Sequence, residues 1–133
     1  MESCDQQKSW REMEVNRFRS NCVVFDTNAL IYAVKNKVDL SEFKIVLPKV
    51  VIDELKSLEK RLSGEDKIAV RVALKIVEKA EIVESESGDV GILEVARKMR
   101  SPIVTNDKEL RKKAEKLGIP TAYVKLGKIV VNL

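Results

Sequence analysis

The stretch VVFDTNALIY, Val23 to Tyr32, decides how the rest of the chain is read. Cys22 to Phe25 is apolar on both faces, as in a strand buried within a parallel sheet. The run stops at an acid, Asp26, and Thr27 and Asn28 follow before a short helical stretch from Ala29 to Val34. A lone acid at this place is adequately explained as a helix cap. A second explanation, a site, depends on whether other acids arrive at the same point.

Working outward, short strands are expected at Ile45–Leu47, Glu81–Val83, Ile103–Thr105 and Thr121–Val124, with an edge strand over 128–131. Helical spacing lies between them. PKVVIDELKSLEKRL opens at Pro48, suited to a first helical turn, and repeats apolar residues at Val51, Leu55, Leu58 and Leu62. After a break at SGED, KIAVRVALKIVEKA puts Val70, Ala73, Leu74 and Val77 on one face. DVGILEVARKM follows, and then DKELRKKAEKLG, with Leu110, Ala114 and Leu117 before a terminating Gly118. Strands alternating with helices predict an α/β fold: a three-layer α/β/α sandwich around a central, mainly parallel sheet of about five strands.

At 133 residues with 44% apolar content, one domain is expected, spanning 21–133. Residues 1–20 lack apolar periodicity and read as an N-terminal extension; fraying, a helix packed on a partner and a cloning remnant are all open. Charged residues reach 35%, mostly Lys and Glu, above the roughly 25% of an average domain. The net charge of +4 suits an acidic partner such as nucleic acid without requiring one. Cys4 and Cys22 lack metal-ligand spacing and are expected to be reduced. No window is apolar for 18 residues and no signal-peptide core precedes residue 20, so a soluble, cytoplasmic protein without membrane contact is expected. The chain has no histidine. That excludes Ser-His-Asp and Cys-His nucleophiles, His-ligated zinc and paired-histidine ribonuclease chemistry.

The acids sort by helical angle at roughly 100° per residue. Glu54 lies at the edge of the stripe set by Val51, Leu55 and Leu58, whereas Asp53 and Glu59 point elsewhere. Asp89 precedes Ile92, Leu93 and Ala96 on their own stripe, and Asp107 precedes Leu110 and Ala114 on the inward side of its helix. A carboxylate aimed at a core face is costly unless it is paired, protonated or bound to a cation. Capping accounts for Asp26, Asp89 or Asp107 singly. However, Asn106 with Glu109 already makes a capping box, which leaves Asp107 without a necessary capping role, and Glu54 lies beyond the first turn. Together, Asp26, Glu54, Asp89 and Asp107 form a candidate cluster of carboxylates. Such a cluster repels itself unless protons or a cation relieve it. An oxygen-only donor set suits Mg²⁺ or Mn²⁺, which can activate water and steady charge on a phosphate.

The segments VVFDTNALI, VLPKVVIDELKSL, SGDVGILEVARK and PIVTNDKELRKKAEKLGIP, in that order, resemble the PIN-domain family of metal-dependent ribonucleases. The resemblance covers about residue 21 to the C-terminus. It implies a central parallel sheet and an acidic pocket for one or two Mg²⁺ or Mn²⁺ ions. It also implies metal-binding and catalytic roles for Asp26, Glu54, Asp89 and Asp107, with Thr27, Asn28, Thr105 and Asn106 supporting them. VVIDELKSLEKR, DKIAVRVAL and TNDKELRKKAEKLGIPTAYVKLGK are further similar to archaeal members related to nucleases that process ribosomal RNA. In those relatives a second acid often stands where this chain has Val90, which bears on a second metal ion.

The resemblance therefore implies an Mg²⁺- or Mn²⁺-dependent endoribonuclease acting on single-stranded or structured RNA, with ribosomal RNA processing as the first context. The alternatives are a toxin-type ribonuclease of a toxin-antitoxin pair and a non-catalytic PIN-fold module that binds RNA or protein. Implied partners are RNA, a second copy of the chain, and a pre-ribosomal factor or antitoxin. Among the cations, Lys56 and Lys108, one or two residues after acids, are the favoured RNA contacts; Lys60, Arg61, Arg111, Lys112 and Lys113 are further candidates. At 5% aromatic content, a base-stacking sheet surface is not expected. A haloacid-dehalogenase-type phosphatase is disfavoured because Asn28 stands where its second Asp is required.

Overall fold

A computed structural model of the chain describes residues 22–125 and 127–132. The extension assigned to residues 1–20 lies outside them. The order is β1 (Cys22–Phe25), α1 (Thr27–Lys35), β2 (Lys44–Pro48), α2 (Lys49–Arg61), α3 (Gly64–Val77), β3 (Glu81–Val83), α4 (Gly88–Met99), β4 (Ile103–Val104), α5 (Lys108–Lys116), β5 (Thr121–Lys125) and β6 (Lys128–Asn132).

The strands form one sheet in the order β3-β2-β1-β4-β5-β6. The first five are parallel, and β6 returns antiparallel against β5. The sheet thus has six strands where about five are expected from sequence, the added one being the expected edge. From β1 the chain winds outward to β2 and β3, then recrosses to β4 and β5. With this strand order, the right-handed rule for parallel crossovers assigns α1–α3 to one face and α4 and α5 to the other. The reversal between β1 and β4 is the switch point of the sheet, where open α/β sheets leave a crevice beyond the strand ends.

Burial follows this order. All four residues of central β1 are buried, whereas at the β3 edge Ile82 is half exposed. Leu30, Leu55, Val70, Leu93 and Leu110 bring the helices onto the sheet; full burial of such a side chain contributes about 1.5–3 kcal/mol. The expected core positions Ile92, Leu93 and Ala96 on α4 are all buried.

Several local expectations are corrected. Pro48 ends β2 and caps α2 from outside, instead of occupying its first turn. Proline has no side-chain acceptor, so the exposed amide of Val50 donates instead to Ser85 Oγ, 3.1 Å away, from the β3–α4 loop. The break at SGED shrinks to Leu62 and Ser63, because α3 begins at Gly64, with Glu65 and Asp66 in its first turn. Leu117 is exposed. It lies past the end of α5, where Gly118 turns left-handed (φ 73°) and the amides of Gly118 and Ile119 bond back to Glu115 and Ala114. Ile119 takes the buried place instead. Cys22 is disulfide-bonded, not a reduced thiol. Among the described residues, no helix is long and apolar enough to cross a membrane.

Candidate functional site

Asp26 stands one residue beyond β1, at the switch point. Its amide donates to Val104 O at 3.2 Å, extending the β1–β4 ladder, so the strand pairing itself positions the residue. The side chain is 8% exposed. Its Oδ1 accepts from the Ala29 amide at 2.7 Å, capping α1, and Oδ2 accepts from the Thr105 hydroxyl. Thr105, fully buried, in turn accepts from the Asp107 amide at 3.0 Å. A single hydroxyl therefore joins the loop after β1 to the loop after β4.

Thr27, buried, is the first residue of α1, and Asn28 beside it is exposed. The groups holding the Asp26 carboxylate are Ala29 and Thr105. Asp107 is exposed and caps α5, its Oδ1 accepting from Glu109 at 2.9 Å. The capping box expected from Asn106 is replaced by this arrangement. Asn106 instead clamps β5: its Nδ2 donates to Val124 O at 3.1 Å and its Oδ1 accepts from the Val124 amide at 2.9 Å. The bond spans eighteen residues, so local spacing carries no sign of it.

Burial pushes the Asp26 carboxyl above the ordinary aspartate range; the Thr105 and Ala29 hydrogen bonds oppose this, and the charges of Asp107 and Glu54 add to the upward push. Three acids from three elements therefore share a field at the switch point. Glu54 reaches it from the second turn of α2, exposed at the edge of the buried stripe. Asp89 stands apart from this group. It lies in the first turn of α4, and its Oδ2 accepts from Lys113 Nζ of α5 at 3.2 Å. Lys113 is thus the candidate cation paired with one of the four acids, whereas Lys56 and Lys108 form no ion pair among the described residues.

Gly91 is required where it stands. A Cβ there would lie 1.9 Å from the carbonyl oxygen of Glu86, so the loop before α4 can fold onto the helix only over a bare Cα. With Ser85 tied to α2, this close approach fixes the loop that leads to Asp89.

Asp26, Glu54 and Asp107 supply only oxygen donors, and their repulsion at Asp26 is what a hard divalent cation relieves. The donor chemistry fits such an ion. Among the described residues, no three His, Cys, Asp or Glu side chains stand as a ready-made metal-holding group.

Fold and site together define an α/β domain with an acidic centre at the switch point of a parallel sheet. The chain belongs to the PIN like domain family, whose profile matches residues 23–126. It is 44% identical over 129 residues to Ribonuclease VapC9 of Archaeoglobus fulgidus, covering 89% of this chain and 96% of that protein. It is 34% identical over 120 residues to Ribonuclease VapC4 of Methanocaldococcus jannaschii, covering 80% and 92%. Among solved structures, a domain of a functionally unknown protein from M. jannaschii superposes with a TM-score of 0.59 at 20% identity, over 79% of this chain and 91% of that one. A PilT N-terminus domain protein from Sulfolobus solfataricus gives 0.51 at 12% identity, over 77% and 86%. These two likenesses concern the fold alone.

Proposed function

We propose that the chain is an endoribonuclease of the toxin type, dependent on Mg²⁺ or Mn²⁺ and held in check by a protein antitoxin. The observation that carries the reading is the buried Asp26 carboxylate, fixed by Ala29 and Thr105 at the switch point and facing Asp107 and Glu54. Two relatives that carry the name ribonuclease VapC, matched over most of their length, favour the toxin-type reading over ribosomal RNA processing.

Asp26, Asp107 and Glu54 would hold the ion, with Asp89 at the margin. When bound, it supplies a lowered pKa for water and charge stabilisation for a phosphate. The chain's own contribution is placement. Asp26 cannot swing, because both of its oxygens are held, and Thr105 fixes the start of α5 that carries Asp107. Lys113 keeps Asp89 near α5 and offsets its charge.

The test is cleavage of fluorescent single-stranded RNA by the purified chain with Mg²⁺ or Mn²⁺. Cleavage is expected to vanish with chelator and to fall by about 10³-fold or more in Asp26→Asn, on the scale of losing a principal catalytic group. RNA bound but left intact by the wild-type chain across both metals would instead support the non-catalytic module.

A further inference from the structure

Beside the acids, α5 and β5 hold a second arrangement that the nuclease chemistry does not use. The register that pairs Val104 with Ala122 places Thr105 beside Tyr123, and the register that pairs Phe25 with Val104 places Asp26 beside Thr105. Asp26, Thr105 and Tyr123 therefore form a row across three adjacent strands, just past the carboxyl ends of β1 and β4 and midway along β5. At roughly 4.8 Å per strand, Tyr123 lies about 10 Å from Asp26, a span that an extended strand of nucleotides bridges in a step or two.

Over the Tyr123 ring stands the guanidinium of Arg111, its Cζ 5.2 Å from the ring centroid. Arg111 follows Asp107 by four residues on α5, which brings it under the same face of the helix. Lys113, Lys49, Lys35 and Arg71 are each paired with an acid; Arg111 makes no ion pair among the described residues. Lys56, Lys60, Lys108 and Lys112 are exposed side chains, whereas Arg111 is half-buried and seated on an aromatic ring. A ring contact of this kind restrains a guanidinium while leaving its N–H groups able to meet an oxyanion.

We propose that Arg111, oriented by Tyr123, forms a subsite for a backbone phosphate of the RNA next to the one at the acidic centre, so that the strand runs from Asp26 across β4 toward β5. This rests on RNA being the substrate, and it adds the direction in which the strand lies. Asn106 gives the subsite its rigidity, because its two hydrogen bonds to Val124 hold the end of β5 against the loop that carries Asp107.

The test measures binding of a short fluorescent single-stranded RNA to the full chain in chelator, across a range of salt, so that no cleavage enters the result. Arg111→Ala is expected to weaken binding by about tenfold at low salt. It is also expected to reduce the slope of log K against log salt by about 0.7, the loss of one phosphate contact on a single strand. Arg111→Lys should keep the slope and lose part of the affinity, and Tyr123→Leu should do the same by freeing the guanidinium. Lys116→Ala, at the far end of α5, serves as the surface control and should move neither by a comparable amount.

Oligonucleotides carrying a single neutral methylphosphonate locate the contact. One position should weaken the wild-type chain and leave Arg111→Ala unaffected, a coupling that a merely unstable variant does not produce. Unchanged affinity and slope in Arg111→Ala overturn the proposal, as does Arg111-dependent binding of a polyglutamate peptide without RNA binding. A wild-type chain that binds RNA through Arg111 yet never cleaves it retains the subsite and refutes the nuclease reading, so the two can fail separately.

Discussion

Asp26 and Asp89 are both acids at the start of a helix, and the fold treats them differently. Asp26 follows a central strand, so the ladder to β4 fixes its backbone, burial raises its pKa, and both carboxylate oxygens are held. Asp89 follows a loop. Its position depends on Ser85, on the bare Cα of Gly91 and on a Lys113 contact between side chains that are 52% and 36% exposed. The difference teaches where precision resides in this site: in the strand-end pair joined by Thr105, with the α4 acid held by a single solvent-facing contact at the margin.

The largest expected effect comes from cutting that join. Thr105→Val keeps the volume but removes the hydroxyl that donates to Asp26 and accepts from the Asp107 amide. Groups one step behind a reacting carboxylate typically cost 10–100-fold, so a loss of about that size in RNA cleavage is expected. A stability loss of about 1–3 kcal/mol by denaturant unfolding should accompany it, because a buried acceptor and an amide lose their partner. Full activity in Thr105→Val would mean that the strand-end acids do not need one another.

Next comes the charge of Asp26 itself. Its folded-state pKa lies above the ordinary 3.8, so the folded chain binds this proton more tightly than the unfolded one. The favourable contribution is therefore present at low pH and is lost as pH rises through the raised value; at neutral pH the buried charge opposes folding. Asp26→Asn should then be more stable than wild type at pH 7, by about 0.5–2 kcal/mol as in other sites that give up stability for function. The gain should shrink as pH falls through the raised pKa toward 3.8. Thermal melts of both forms across that range check it, and a gain that persists unchanged at low pH would place its origin elsewhere. If Asp26 also holds a divalent ion, Mg²⁺ or Mn²⁺ should raise the melting temperature of wild type more than that of Asp26→Asn.

The contrast between the two regions also marks how far the sequence could be read. Cys22–Phe25 is legible to the residue, because a strand covered on both faces leaves an apolar run that little else in a small domain explains. Asp26 is legible as an acid ending such a run; the grouping of four acids is what the resemblance implies, and of these Asp107 and Glu54 act on Asp26. The exchange of roles between Asn106 and Asp107 is not legible. Either residue satisfies the local rule for a cap, and the choice is made by Val124, which reaches Asn106 only once β5 has paired with β4. Ser85 at the start of α2 and Lys113 at Asp89 are hidden for the same reason, since each bond joins residues more than twenty positions apart. Leu117 continues the apolar spacing of α5 but falls past its last residue, just before Gly118 turns left-handed.

The smallest expected effect lies at the margin. Lys113→Met removes the partner of Asp89 while preserving the length of the side chain. Both groups are partly solvated, so the direct loss of stability should stay within about 1 kcal/mol, the range of exposed ion pairs. What distinguishes a structural pair from a functional one is the sign of the effect on divalent ions. With the ammonium gone, Asp89 is an uncompensated carboxylate, and if it helps to hold the ion, Mn²⁺ should raise the melting temperature of Lys113→Met more than that of wild type. Asp89→Asn should reverse that gain when combined with Lys113→Met, because it removes the charge the ion would answer. If Lys113→Met responds to Mn²⁺ as wild type does, Asp89 lies outside the field of the ion, and the working centre contracts to Asp26, Asp107 and Glu54.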